Sequence, residues 1–288
     1  MLVIVGAFIV IGAVFGGYLI EGGKLAVLIQ PIEFLIIGGA AAGSLLISAP
    51  IPLIKMIISQ ALGTLKGPKV TREHYTELLL LLFELCKNAK ANPLSIEAHV
   101  EKPHESEIFK RYPKVLENHH ALDFLCDSLK VQISSPMSPF DFEDLMDKDI
   151  AAAHQEEHNA PSTVTRIGDA MPGLGIVAAV LGVVLTMGKL TQGKEVIGHS
   201  VASALVGTFL GILMSYGFLQ PLAAKMELNL GLEAKFMEVI KAGLLAYSKN
   251  CSPKVCVEFS RRTISPELRP SFAEVDQLTS SAGKKAAA

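Results

Sequence analysis

Residues 170–188 read AMPGLGIVAAVLGVVLTMG, and this stretch decides the fold class because it contains no Asp, Glu, Lys or Arg. Three other blocks are equally free of those residues, at 1–20, 34–54 and 196–224. A helix needs roughly 20 apolar residues to cross the hydrocarbon core of a bilayer, so each block is long enough to span it. The sequence therefore predicts an all-α integral membrane protein with four transmembrane helices.

The composition also favours a membrane protein over a soluble one. Hydrophobic residues make up 50% of the chain, charged residues only 19%, and the mean hydropathy is +0.41. A soluble helix as long as these blocks would carry charge on its exposed face. The first block starts at Met1 without an early Lys or Arg, whereas a signal peptide has a basic start. A retained first span is favoured, and a cleaved signal peptide is the alternative.

The distribution of basic residues predicts the orientation. Thirteen Lys and Arg residues lie between the second and third blocks, from Lys55 to Arg166, and ten follow the fourth block. The only basic residues in the two short connections are Lys24, Lys189 and Lys194. Because basic residues stay on the cytoplasmic side, both termini and the long central segment are predicted to be cytoplasmic.

These boundaries divide the chain into four parts. Residues 1–54 hold the first two transmembrane helices and a short periplasmic loop, and residues 170–224 hold the last two. Residues 55–169, the long loop between helices 2 and 3, are predicted to form a helical cytoplasmic domain together with the C-terminal tail. That tail, 225–288, is predicted to be a helix followed by a disordered end, because its residues from Thr279 onward are small and polar.

The central segment shows helical patterns separated by prolines. Thr71 opens a helix that runs to Lys90, and its apolar run at 78–83 is too short to span a membrane and predicts a packing face. Pro93 follows the end of this helix. Pro161 is one of several prolines predicted to separate the later helices.

Signs of chemistry are sparse. No nucleotide-binding, zinc-protease or hydrolase pattern occurs, so the chain is predicted to be neither an enzyme nor a cofactor-binding protein. His154 and His158 could hold a metal ion at i,i+4 spacing, but a solvated helix face is the favoured interpretation. Cys251 and Cys256 lack a further Cys or His cluster and are predicted to be reduced thiols. The net charge of −2, without an extended basic block, gives no indication of nucleic-acid binding.

The predicted spans are rich in small residues and poor in charge. Glycines four residues apart at 12–16, 39–43 and 207–211 let helices approach each other closely. His199, near one end of the fourth block, is the only ionisable side chain expected in the spans. Because ionisable residues in membranes usually mark ion paths, an ion path here would need a charge from another chain.

Several separated motifs resemble one known family, in the same order along the chain. GDAMPGLGIVAAVLGVV at 168–184 resembles the third span of the MotA family of flagellar motor stator proteins. VGTFLGIL at 206–213 resembles the fourth span of that family, and VFGGY at 14–18 is similar to the first. Shorter stretches resemble its cytoplasmic parts: ESEIF at 105–109, VEF at 257–259 and RPSF at 269–272.

The resemblance implies a stator subunit of the bacterial inner membrane. With the partner MotB it would form a proton-conducting complex that converts ion-motive force into torque on the rotor. The implied assembly is a pentamer of this chain around a MotB dimer, whose single span brings an essential aspartate and whose other domain binds peptidoglycan. The rotor protein FliG is the implied cytoplasmic partner. A TolQ-like or ExbB-like energiser of an outer-membrane process is the alternative, and a stand-alone channel or scaffold is a third.

The resemblance also implies site residues. Pro172 at the start of the third span and Pro221 at the end of the fourth match the two functional prolines of the family, which suggests hinges for torque. Lys90 and Glu97 fall where the family has a basic and an acidic rotor contact. The family often has Arg at the first of these positions, and Lys keeps the charge without the planar fork.

The coupling ion is predicted to be the proton. Thr208 matches a family threonine that faces the aspartate of the partner. Sodium-driven relatives carry a second threonine where this chain has Ala179, and a methyl group cannot coordinate sodium, which needs several oxygen ligands. The alternative for Thr208 is an ordinary hydrogen bond from its hydroxyl to the carbonyl one turn back.

Overall fold

The computed structural model describes residues 2–66, 70–188 and 194–285, and these form helices joined by short connections, with no β-strand among them. The chain divides into two compact units. The first comprises residues 1–67 and 157–229, and the second comprises residues 68–156 and 230–288. The helices are α1 Leu2–Ile20, α2 Leu25–Leu28, α3 Pro31–Ser48, α4 Ile51–Leu65, α5 Arg72–Ala91, α6 Glu97–Glu101, α7 Pro113–Leu116, α8 His119–Ser134, α9 Pro139–Met187, α10 Lys194–Met214, α11 Gln220–Ser248, α12 Pro253–Thr263 and α13 Phe272–Lys285.

Four stretches of the described helices are long and apolar enough to cross a membrane, which confirms the predicted number of spans. They are Leu2–Ile20, Leu25–Ser48, a part of Pro139–Met187 and a part of Ser200–Ser248. The all-α class is confirmed as well.

The second span differs from the predicted block at 34–54. Its main helix, α3, begins at Pro31 and ends at Ser48, and α4 starts only at Ile51. Ala49 is extended because the residue before a proline is pushed out of the helical region, here by Pro50. The helix therefore begins earlier than the charge-free block, and it includes Glu33.

The predicted helix break at Pro161 is wrong. Pro161 lies inside α9, a continuous helix of 49 residues. A proline within a helix leaves the carbonyl four residues earlier without its donor, which here is the carbonyl of Glu157. Gln60 on α4 donates its Nε2–H to that carbonyl at 3.1 Å, so the hydrogen bond lost to Pro161 is replaced by a side chain.

The second unit contains a large apolar core. Thr71 directly precedes α5, and its backbone N–H donates to His74 Nδ1 at 3.3 Å, so the helix starts where the sequence predicted it. The apolar run of α5 is buried, which confirms the predicted packing face. Fully buried side chains of this core include Tyr75, Leu78, Leu81, Leu82, Phe109, Phe142 and Phe236.

The predicted disorder from Thr279 onward is wrong for the described part of the tail, since α13 runs to Lys285. Thr279 is buried, and its hydroxyl donates to the carbonyl of Val275 at 2.8 Å. Ion pairs hold the start of α13 to the same unit, from Arg72 to Glu274 at 2.5 Å and from Lys254 to Asp276 at 2.7 Å. Residues 286–288 lie outside the described range.

Candidate functional site

The third and fourth spans meet through glycines. A Cβ built on Gly211 would lie 2.5 Å from the carbonyl oxygen of Met171, and one built on Gly175 would lie 3.2 Å from the Cα of Gly211. A Cβ at Gly182 would lie 2.7 Å from the Cβ of Ala204. Backbone therefore touches backbone along this crossing, because no side chain larger than a hydrogen atom fits at the glycine positions.

Thr208 and Ala179, the predicted ion-path residues, both lie at this crossing. A Cβ on Gly175 would lie 3.2 Å from the Cα of Thr208, and a Cβ on Gly207 would lie 3.3 Å from the backbone N of Ala179. Both residues are partly exposed. The structure brings them to one place, while their role with an ion stays a prediction.

The hydroxyl of Thr208 does not follow the usual pattern of membrane threonines. Thr186 donates to the carbonyl of Gly182 one turn back at 2.7 Å, and Thr163 and Thr165 make bonds of the same kind. Within the described part of the chain, Thr208 makes no such bond. Its hydroxyl is therefore available to a ligand or to a partner chain.

Glu33 is the site residue that the sequence reasoning missed. Its side chain on α3 is only 7% exposed, and its Oε2 has no hydrogen-bond partner among the described residues. A Cβ on Gly207 would lie 2.8 Å from that oxygen, which places the carboxyl beside Thr208 on α10. The expectation that the spans lack such a group was therefore wrong. Pro31 could have revealed it, because proline at the first helical position marks a helix start before Glu33.

The two predicted hinge prolines lie within helices rather than between them. Pro172 lies inside α9, and Pro221 is the second residue of α11. They leave the carbonyls of Gly168 and Gly217 without their helical donor. In the described residues no side chain donates to either carbonyl. The carbonyl of Glu157, which Pro161 deprives of its donor, differs because Gln60 donates to it.

A π-helical turn precedes Pro221. It covers Ser215–Leu219 and joins α10 to α11, and the backbone N–H of Gln220 bonds the carbonyl of Ser215 five residues earlier. The side chain of Gln220 donates to Asp169 Oδ1 at 2.8 Å, which connects the start of α11 to α9. Single π turns of this kind often occur at functional sites.

The predicted rotor-contact residues lie in the second unit. Lys90 occupies the last turn of α5, and its ammonium group donates to the carbonyls of Asn250 and Cys251 at 3.1 and 3.2 Å. Asn250 adopts a left-handed conformation with φ of 59°, so Lys90 stabilises a tight turn. Glu97 is the first residue of α6 and is exposed. Their contact with the rotor stays a prediction.

The histidine and cysteine side chains considered as possible sites pack against other parts of the protein. His158 Nε2 lies 3.2 Å from Glu227 Oε1, which links α9 to α11 within the first unit. The thiol of Cys126 is buried, and burial raises the pKa of this thiol to about 12. Cys256 is also buried, and its Sγ lies 3.9 Å from the carbonyl of Cys251.

Comparison with known proteins finds relatives over nearly the whole chain. Residues 4–93 match the family described as motility protein A N-terminal, and residues 117–238 match the MotA/TolQ/ExbB proton channel family. Motility protein A of Escherichia coli (strain K12) is 39% identical, covering 96% of this chain and 94% of the relative. Chemotaxis protein LafT of Vibrio parahaemolyticus is 37% identical, covering 94% of this chain and 96% of the relative. The match of residues 4–93 to the motility protein A N-terminal family favours a motility protein over the TolQ-like or ExbB-like alternative.

Two solved structures have the same fold. MotAB of C. jejuni matches with a TM-score of 0.76 at 19% identity, covering 94% of this chain and 98% of the other. The flagellar MotAB stator complex of Bacillus subtilis matches with a TM-score of 0.71 at 24% identity, covering 88% of this chain and 92% of the other. At these identities the likeness shows the fold.

Proposed function

This chain belongs to the motility protein A family, and on that premise we propose that it is a stator subunit of a bacterial flagellar motor. The observation that carries the proposal is the 39% identity to Motility protein A along almost the full length of both chains. The four membrane helices and the helical second unit are consistent with it. The proposed role is to convert ion-motive force into torque, and it requires no catalytic residue.

The proposed partner in the membrane is MotB. Two solved structures with this fold are described as MotAB, which supports a complex of this kind. Thr208 lies at the glycine-lined crossing and is partly exposed, and the aspartate of MotB would supply a charge next to it. The proposed stoichiometry, from the family resemblance, is five copies of this chain around two copies of MotB.

The proposed coupling ion is the proton. Ala179 presents a methyl group where sodium-driven relatives carry a second threonine, which leaves the hydroxyl of Thr208 and the carboxyl of Glu33 as the side-chain oxygen groups identified at the crossing, fewer than sodium needs. One elementary charge moved across 100 mV releases about 2.3 kcal/mol, which is the energy that each transferred proton would make available to the motor. The second unit would transmit the step to the rotor protein FliG through Lys90 and Glu97, on the cytoplasmic face of the inner membrane.

Complementation tests the proposal directly. The chain, co-expressed with its partner subunit, is expected to restore swimming to a flagellated strain that lacks its own stator. The matched control expresses this chain without the partner, and we expect no swimming from it. Purification of the complex and counting of its subunits by cryo-electron microscopy would check the stoichiometry. Failure to restore swimming despite a stable, membrane-inserted complex would contradict the proposal.

A further inference from the structure

The hydroxyl of Ser215 is a buried polar group of the first unit that the packing of the helices does not satisfy. Ser215 is 0% exposed, and its Oγ has no hydrogen-bond partner among the described residues. The comparable hydroxyl of Thr186, which is 3% exposed, bonds the carbonyl one turn back. An unpaired buried hydroxyl is unfavourable and is usually satisfied by an ordered water. The hydroxyl of Ser215 is therefore a candidate position for an ordered water.

A backbone carbonyl that has lost its usual helical donor lies at the same level of the neighbouring helix. Pro172 has no N–H, so the carbonyl of Gly168 lacks its helical donor, and no described side chain replaces it. This carbonyl points along α9 toward the level of Met171, because helix carbonyls point to the C-terminus.

The contacts on either side fix this level. Gly211, one turn before Ser215, packs against Met171, and Leu219, one turn after, packs against Gly168. Ser215 thus lies across from the segment between Gly168 and Met171. A buried water needs two to four polar partners. The carbonyl of Gly168 can accept a hydrogen bond from the water, and the hydroxyl of Ser215 can donate one to it.

Further polar groups extend in both directions along the crossing. Thr208 lies two turns before Ser215 on the same face of α10, about 10 Å away along the axis. In the other direction, Asp169 follows Gly168 directly, and its carboxylate accepts a hydrogen bond from Gln220 at 2.8 Å. Ser215 is the buried polar side chain between these two levels of the described chain, since Tyr216 next to it is exposed.

We propose that Ser215 and the carbonyl of Gly168 hold a water molecule that forms one station of a proton path leading from the level of Thr208 toward Asp169. This inference rests on the proposed stator function. A proton that reaches the water from the side of Thr208 releases a different proton on the side of Asp169, so water and hydroxyl are both regenerated. Ser215 acts as a positioning residue for that water. Pro172 then has a chemical role, since its missing N–H leaves the carbonyl free.

The test compares three variants of the full complex with its partner subunit, each reconstituted in vesicles that contain a pH-sensitive dye. Ser215→Ala removes the hydroxyl, and we expect proton flux to fall about fivefold, the effect of losing roughly one hydrogen bond. Ser215→Thr keeps a hydroxyl, and we expect most of the flux to remain. Thr186→Val removes a buried hydroxyl that is already satisfied within its helix, and we expect unchanged flux.

The outcomes separate this inference from the function on which it rests. Equal flux in Ser215→Ala and wild type would overturn the proposed water, as would an equal loss in Thr186→Val. Co-purification of the partner in constant ratio shows that a variant assembles. High-resolution imaging should show a water between Ser215 and Gly168 that is lost in Ser215→Ala. A wild-type complex that restores no swimming and carries no protons would instead contradict the stator function itself.

Discussion

The two units of this chain are packed in opposite ways. The second unit surrounds a continuous core of large side chains, with Tyr75, Phe109 and Phe236 fully buried. The first unit joins its helices through glycine and alanine, and many of its large apolar side chains, such as Leu35 and Ile47, are exposed. A core of its own can stabilise the second unit, whereas the first unit presents a large apolar surface that a lipid bilayer can cover.

The difference shows what each unit tolerates. In the second unit the limiting factor is the volume of apolar side chains, because a cavity in a close-packed core is costly. In the first unit the limiting factor is the distance between backbones, because the crossing of α9 and α10 leaves no room for a Cβ at glycines such as Gly175 and Gly211. The same small substitution should therefore have opposite consequences in the two units.

The largest effect is expected from Gly211→Ala. The added Cβ would lie 2.5 Å from the carbonyl oxygen of Met171, so the helices must separate. We expect swimming to be abolished in a complementation assay while the chain still inserts into the membrane. The matched control is Gly231→Ala in the second unit, where a new Cβ meets nothing within 4 Å. Normal swimming of the Gly211 variant would show that the crossing is not rigid.

The prolines provide the next test. Pro172→Ala and Pro221→Ala restore a backbone donor, and with it a straight hydrogen-bonded helix, at places where no side chain has replaced the lost bond. We expect both variants to lose most of their torque, measured as the rotation speed of tethered cells under load. Pro161→Ala is the control, because Gln60 already donates to the carbonyl of Glu157, the one that Pro161 leaves without a helical donor. Normal torque in the first two variants would remove the hinge interpretation.

A core substitution tests the packing of the second unit. Leu82 is fully buried, and Leu82→Ala is expected to lower the free energy of unfolding of this unit by about 2–5 kcal/mol. Leu94 is 64% exposed in the same unit, so Leu94→Ala should change the unfolding free energy by less than about 0.5 kcal/mol. Denaturant titration of the purified protein, followed by protease resistance, measures both. Similar values for the two variants would contradict a close-packed core.

Charge reversal at the rotor contact should have an intermediate effect. We expect Lys90→Glu and Glu97→Lys to slow swimming, and the opposite reversal on the rotor protein to restore it in part. Lys90 also bonds the carbonyls of Asn250 and Cys251, so part of its effect would come from the lost turn. Glu97→Lys disturbs no such turn, so its effect on swimming reports the charge at the rotor contact more directly. Full motility in both variants would reject the contact.

The smallest effect is expected from sodium. If protons drive the motor, swimming speed at constant pH should not change when external sodium is replaced by potassium. Ala179 offers no oxygen ligand, and a sodium site would need several. Speed that rises and falls with sodium would overturn the proton assignment and would show that other oxygen atoms complete a site near Thr208.

The sequence was informative wherever a pattern depends on local chemistry. Thr71 was placed correctly as a helix start, and the structure shows the local reason, since a residue at this position can satisfy neighbouring backbone groups. Pro161 was misplaced as a helix break, because the compensating donor, Gln60, lies 97 residues away in the chain. Thr279 was assigned to a disordered end because its neighbours are small and polar, although its side chain is buried within the second unit.

The sequence by itself determined the class, the number of spans and the family. Length and absence of charge decide whether a helix can cross a bilayer, and those are properties of a contiguous stretch. The tertiary structure alone decided which polar groups lie within the membrane unit without a partner. Glu33 and Ser215 look ordinary in sequence, and their lack of a hydrogen bond became visible only with the helices that surround them. Burial depends on distant residues, so the cost of an unpaired group is a property of the packed helices and not of its neighbours in the chain.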